Sequence, residues 1–293
     1  MTPDTARTAS CQRDEGYNGA SDVHDRDLPD NLASVNLPAV ETFAFGMTTP
    51  ESVSRAALDQ TYVLYDDTSQ VSHALAFLTL TPILLNDPAY AALAVWTREL
   101  LFFEMWAGQM LCETFNYILK HIIQEERPHY ELGDGFGFPS SHSQWMGYFL
   151  SFLVCHFSLR HRFISTGWWF LDLARNVTLY TALAGLSASV AFSRYYLSYH
   201  TIPQVLWGFS IGLVFGIAYY AMVEYIPTRH PNSLLGRARS AVLANPVATW
   251  FRLRDGWAVW ADSGTEAQWL RWRYEWDKIR AISAGVQKLG KAE

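Results

Sequence analysis

Between residues 71 and 223 the chain alternates long apolar runs with short polar connections, the runs falling at about 71–85, 89–119, 144–159, 177–192 and 202–223. That alternation leaves few folds open. In lipid, every backbone N–H and C=O must be satisfied within the protein, which helices achieve and open sheets do not. The pattern predicts an all-α, multi-span integral membrane helical bundle. The first run is short for a crossing of about 20 residues and contains Pro82, which neighbouring groups can accommodate. Asn86–Asp87–Pro88 reads as a turn. The second run is too long for one straight crossing and carries Arg98, Glu99, Glu104 and Glu113. It is expected to open along the interface and then cross, ending at Lys120. Ala182, Gly185, Ser187 and Ser189 in the fourth run suit close helix packing.

Composition sharpens this reading. Only 17% of the 293 residues are charged, below the roughly 25% of soluble domains. Twelve tryptophans, many at run ends, fit the headgroup layer, where ring and N–H are both satisfied. A net charge of −6 argues against a nucleic-acid partner. Cys11, Cys112 and Cys155 show no paired spacing, so neither a disulfide nor a metal site is expected. Residues 1–45 are polar and poor in large apolar groups, which predicts a disordered arm. They lack the apolar core of a cleavable signal peptide, so insertion is expected to start at the first internal run. Residues 46–228 form the expected membrane-embedded domain. Residues 229–293 form a Trp-rich polar tail, either as interfacial helices or as a small soluble appendage.

Function is expected from three polar motifs at run ends: Lys120 with Arg127–Pro128, Pro139–Ser140–Ser141–His142, and Ser193–Arg194 with His200. If the third, fourth and fifth runs each cross once, Lys120, His142, Arg194 and His200 emerge on one face. Arg160, Arg162, Arg229, Arg237 and Arg239 emerge on the other, which the positive-inside rule makes cytosolic. A transferring phosphoryl group spreads charge over three oxygens, so catalysis is mainly positioning and charge stabilisation. Arg127 and Arg194 can each fork onto two oxygens, and Lys120 adds a point charge. Lys120 and Arg127, seven apart, share a face if the helix continues, with Pro128 stopping it. Ser140, Ser141 and His142 fall in a helix's first turn, where free N–H groups favour an anion. Gln204, one turn after His200, is placed to accept its Nδ1–H and leave Nε2 toward phosphorus. Taken singly, the basic residues read as snorkelling anchors and the serines as N-caps.

Together the motifs resemble the signature of the phosphatidic-acid-phosphatase type 2 superfamily, which shares its site with bacterial acid phosphatases and vanadium haloperoxidases. That signature is K-x6-R-P, P-S-G-H and S-R-x5-H-x3-D. Here the first is KHIIQEERP, the second PSSH with Ser141 where Gly is usual, and the third SRYYLSYHTIPQ with Gln204 where Asp is usual. Both departures resemble the dolichyl-diphosphatase branch. The resemblance implies His200 as the nucleophile forming a phosphohistidine and His142 as the general acid. It makes Lys120, Arg127, Ser140 and Arg194 the phosphate cradle, with Ser141 as a further donor and Gln204 orienting the nucleophile. It implies no cofactor and no metal, and a polyprenyl diphosphate lipid as partner. The setting would be the endoplasmic reticulum membrane, with the site facing the lumen, where the reaction recycles the lipid carrier of protein N-glycosylation. A broad lipid phosphate phosphatase and a non-catalytic lipid-binding scaffold are the alternatives.

Overall fold

The structure is a computed structural model that describes residues 55–57, 63–128 and 135–289. The expected arm, residues 1–45, lies outside the described residues. Residues 52–293 form one compact unit. Among the described residues its regular structure is helical apart from one short antiparallel ribbon that an all-α expectation does not contain, β1 (Arg55–Ala57) against β2 (Leu64–Asp66).

The first apolar run becomes α1 (Gln70–Leu78) and α2 (Thr81–Leu84), with Pro82 in the first turn of α2, where its missing N–H costs nothing. The expected turn at Asn86–Asp87–Pro88 is instead a π-helical turn over Leu85–Ala89, leading directly into α3 (Tyr90–Thr97). The second run breaks where its charges begin. Arg98 adopts a left-handed φ of 56° and closes α3, and α4 (Leu100–Ile123) then runs for 24 residues, about 36 Å. Then follow α5 (Ser141–Leu159), α6 (Trp169–Tyr196) and α7 (Ile202–Tyr220), the last extended by a π turn and by α8 (Ile226–Arg229).

α5 is the hub, touching α4, α6 and most extensively α7. Met105, Trp145, Met146, Tyr148, Phe152 and Tyr219 build the core around it, and Tyr148 donates its hydroxyl to Met105 O at 2.8 Å. Of the small residues expected to pack on α6, Ser187 is fully buried, but the tightest backbone approach is between α5 and α7. A Cβ at Gly185 would meet nothing, whereas one at Gly212 would strike Gln144 O, and one at Gly208 would lie 2.6 Å from Ser140 O. Ser189 bonds back to Gly185 O of its own helix at 2.7 Å, so part of that small-residue stripe satisfies itself rather than a neighbour.

Among the described residues one helical stretch, Ile202–Arg229, is long and apolar enough to cross a membrane. α6 equals it in length and α4 is shorter at 24 residues, but Glu104 and Glu113 dilute α4, and Asn176, Thr178, Thr181, Ser187 and Ser189 dilute α6. Composition alone therefore marks one crossing rather than the several expected.

The segment after residue 229 contributes α9 (Leu234–Ala244), α10 (Pro246–Trp250) and α11 (Thr265–Leu289). It is tied to the bundle by ions. Arg239 reaches Glu104 at 2.8 Å, Asp255 at 2.8 Å and Glu224 at 3.1 Å. Arg160 binds Asp255 at 2.6 Å and also Glu224. Buried Glu99 takes Gly256 N–H at 2.8 Å, Ser263 Oγ at 2.7 Å and Arg254 Nε at 2.7 Å.

Candidate active site

Because α4, α5, α6 and α7 alternate in direction, the C-termini of α4 and α6 meet the N-termini of α5 and α7 at one end of the bundle. Lys120, His142, Arg194 and His200 are carried there. Arg127 reaches the same place by a different route from the expected one. The helix does not continue to Pro128. It ends at Ile123, where Gln124 turns left-handed at φ 52° and donates its N–H to Lys120 O at 3.0 Å. Tertiary bonds then outbid helix continuation: Gly137 N–H donates to Glu125 O at 2.6 Å, and Gln204 Nε2 donates to Glu125 Oε1 at 2.8 Å and to Glu126 O at 3.0 Å.

The motifs converge electrostatically. His142 interacts with Arg194, His200, Lys120 and Arg127, and Lys120 interacts with both arginines. His200, in the connection between α6 and α7, is 2% exposed. Burial pushes its imidazole down to about 3, and the charges of Arg194 and Arg127 act in the same direction, with Lys120 behind them, while the Gln204 bond opposes them. The ring is therefore neutral at physiological pH, and a neutral nitrogen keeps the lone pair a nucleophile needs.

Each group is held from more than one side. His200 N–H and Tyr199 N–H both donate to Arg194 O, at 3.2 and 3.1 Å. The Arg194 guanidinium lies 4.0 Å from the centre of the Tyr199 ring, a cation–π stack, and Tyr199 Oη in turn accepts Leu64 N–H at 2.8 Å. Thr201 caps α7 in a reciprocal box with Gln204. Gln204 Oε1 sits 3.2 Å from His200 Nδ1 and 3.2 Å from Thr201 N. Ser140 is the N-cap residue of α5 and fully buried, accepts from Ser143 Oγ at 3.1 Å, and donates its N–H to Gln204 O at 3.2 Å. Ser141 and His142 are half-buried in the first turn of α5.

Several positioning residues escaped the sequence reading. Buried Gln144 spans two helices, accepting from Asn116 Nδ2 at 2.8 Å and donating to Cys112 O at 3.0 Å, which sets Lys120 on α4 against His142 on α5. The signal was present: Asn116 lies one turn before Lys120, a polar group inside an apolar run. Gly137 offers a second. A Cβ there would lie 2.8 Å from both Gln204 Nε2 and Glu126 O.

A cleft of about 490 Å³ opens beside the site, lined by Lys120, Ser141 and His142 and by Asn116, Tyr117, Trp145 and Pro82. A larger cavity, about 670 Å³, lies between α3 and α10 but has no histidine in its lining, so size does not mark the chemistry. Cys112 and Cys155 are free thiols.

Residues 99–227 match the PAP2 superfamily. A protein named dolichyldiphosphatase from Saccharomyces cerevisiae is 38% identical over 176 residues, 57% of this chain and 70% of that protein. Dolichyldiphosphatase 1 of Homo sapiens is 33% identical over 201 residues, 67% of this chain and 79% of its own length. The Dictyostelium discoideum protein of the same name is 35% identical over 185 residues, 61% and 74% of the two lengths. No solved structure matches the chain. The matched residues run from Glu99 at the ionic end of α4 through all three motifs into α8, and by this similarity the chain belongs to the PAP2 superfamily, in its dolichyldiphosphatase branch.

Proposed function

We propose that this chain is a membrane-embedded dolichyl diphosphate phosphatase, releasing inorganic phosphate and leaving the lipid monophosphate. The observation that carries this reading is the gathering of two imidazoles and three cations where four helix ends meet, beside a cleft. The Nε2 lone pair of His200 attacks the terminal phosphorus, and the bond from phosphorus to the bridging oxygen breaks. Its electron pair leaves with the lipid monophosphate, which takes a proton from His142. Water, giving a proton to His142, then attacks the phosphohistidine and frees phosphate. Lys120, Arg127 and Arg194, with the hydroxyls and N–H groups of Ser140 and Ser141, hold the oxygens. A diphosphate headgroup offsets the field of the three cations, which lets His142 carry its proton.

A membrane setting with several crossings is supported by the outer faces of the helices. Leu111, Phe115, Val177, Phe192, Leu206 and Val214 are all more than a third exposed, and α5, at about 29 Å, equals a hydrocarbon core of about 30 Å. Arg160, Arg162, Arg229, Arg237 and Arg239 favour a cytosolic opposite end, since insertion counts Lys and Arg and largely ignores acids. The site then faces the lumen of the endoplasmic reticulum, and the cleft between α2, α4 and α5 admits the headgroup sideways while the isoprenoid stays in lipid.

The test is phosphate release by purified protein in detergent, with chelator present, from a polyprenyl diphosphate, a polyprenyl monophosphate and a phosphatidate, alongside His200→Ala. The proposal expects preferential turnover of the diphosphate and loss of nearly all of it in the variant. Equal turnover of the three lipids would make this a broad lipid phosphatase. An unaffected variant would remove His200 from the chemistry.

A further inference from the structure

The amide of Gln204 has four hydrogen-bond partners besides its place in the helix, and they allow only one orientation. On one side, Thr201 N–H points at Oε1 from 3.2 Å, and a backbone N–H can only donate. On the other side, the Glu125 carboxylate lies 2.8 Å and the Glu126 carbonyl 3.0 Å from Nε2, and both only accept. Flipping the amide would set NH₂ against N–H and oxygen against two oxygens. Oε1 must therefore face His200 Nδ1, at 3.2 Å. An amide oxygen cannot donate, so the proton between them belongs to Nδ1, and Nε2 carries the free lone pair. Of these partners one is an ion. Glu125 is otherwise exposed, and its backbone carbonyl is itself anchored by Gly137 N–H at 2.6 Å.

We propose that Glu125 is a positioning residue for the nucleophile, acting through Gln204. This rests on the phosphohistidine reading above. When Nε2 forms its bond to phosphorus and the bond to the bridging oxygen breaks, the ring keeps its Nδ1 proton and becomes cationic. The Gln204 carbonyl dipole faces that proton, and the Glu125 carboxylate, bound to the amide's far side, strengthens the dipole by polarising it. The negative charge thus sits two hydrogen bonds from the ring. It supports the imidazolium without neutralising the cations that hold the phosphate, as a carboxylate in direct contact with the site would.

The experiment compares Glu125→Gln, Glu125→Asp and Glu125→Ala in the full-length protein in detergent. Glu125→Gln keeps an acceptor for Gln204 but removes the charge. It is expected to lower kcat about tenfold to a hundredfold with KM within twofold, and Glu125→Asp to recover part of that loss. In parallel, the ring nitrogens of His200 are read by NMR on protein labelled with ¹⁵N-histidine and assigned by His200→Asn. The intact protein is expected to show Nδ1–H, and Glu125→Ala the same tautomer, still fixed by Thr201 N–H and Glu126 O, with the Nδ1–H proton shifted upfield by a weaker bond to Gln204. A Glu125→Gln enzyme keeping half or more of kcat, or ring signals unmoved by Glu125→Ala, would overturn the proposal. The NMR arm needs no turnover, so failure of the intact protein to hydrolyse any lipid diphosphate would count against the phosphatase reading alone, while the Nδ1–H shift still decides the Glu125 relay.

Discussion

The two ends of the bundle use the same residue types for opposite purposes. At the end near residue 255, Arg239 spends its whole fork on acceptors: Nε on Asp255, Nη1 on Glu104 and Val223 O, Nη2 on Glu224 and Asp255. Burial alone would lower its affinity for the proton, but Glu224, Glu104 and Asp255 together hold it above its ordinary value. At the other end Arg194 is 5% exposed, its Nε has no hydrogen-bond partner among the described residues, and its guanidinium rests on an aromatic face. Its field falls on two imidazoles together with those of Arg127 and Lys120. Cations matched by carboxylates weld α4, α7 and the segment after 229 into one body. Cations gathered beside two imidazoles set a field that suits an arriving anion.

The strongest way to break this contrast is to remove one arginine from each end. Arg239→Met takes from Glu104 its ion pair with Arg239 and leaves Glu224 and Asp255 to Arg160. Stranding buried charge of this kind costs about 3–5 kcal/mol, so the melting temperature in detergent should drop by many degrees, while turnover per folded molecule stays within about threefold. Arg194→Gln should do the reverse. Losing a donor to the transition state lowers kcat/KM by about 10²–10³, while stability holds or rises because a poorly matched buried cation is gone. If Arg194→Gln melted as early as Arg239→Met, the two ends would not differ in kind.

The sequence made the site more legible than its supports. Lys120, Arg127, His142, Arg194 and His200 stand at run ends, and alternating helix direction is enough to bring such ends together. The break at Arg98–Glu99 was readable because charge interrupts apolar periodicity there. What was not readable depends on partners distant in sequence. Helix α4 stops at Ile123, short of Pro128, because Glu125 and Glu126 bond to groups near residues 137 and 204. The glycines that matter are on α5 and α7 rather than α6, since only the packed structure says which stripe of small residues faces a backbone. The ionic weld joins Glu104, Arg160, Glu224, Arg239 and Asp255 across 151 positions of sequence, and local charge runs contain no trace of that pairing.

A pH titration sharpens the contrast at His200. Its unfolded value is about 6.5 and its folded value about 3. Above pH 6.5 the ring is neutral in both states and contributes no pH dependence. As pH falls toward 3 the unfolded chain takes up a proton that the folded protein refuses, so stability falls, by up to about 1.4 kcal/mol for each pH unit. Melting curves between pH 7 and 5 should show this slope, His200→Asn should lose its share of it, and orthovanadate should flatten it by offsetting the three cations. A slope unchanged in His200→Asn would mean that other groups set it.

The smallest expected effect concerns substrate choice. A neutral amide beside His200 stabilises imidazolium less than a carboxylate does. That is tolerable when the leaving group is a lipid monophosphate, which departs far more readily than an alkoxide. Gln204→Asp should therefore raise monoester turnover relative to diphosphate turnover, by about tenfold or less, since tenfold already equals about 1.4 kcal/mol of transition-state stabilisation. The structure adds a condition. Glu125 Oε1 lies 2.8 Å from Gln204 Nε2, so a carboxylate at position 204 meets a like charge and loses its donor to Glu125. The cleaner measurement is Gln204→Asp in a Glu125→Gln background, where an amide again faces a carboxylate with the two roles exchanged. A monoester-to-diphosphate ratio that rises in the double variant and not in Glu125→Gln alone places the preference at position 204. An equal ratio in both shows that the amide orients His200 without selecting the leaving group.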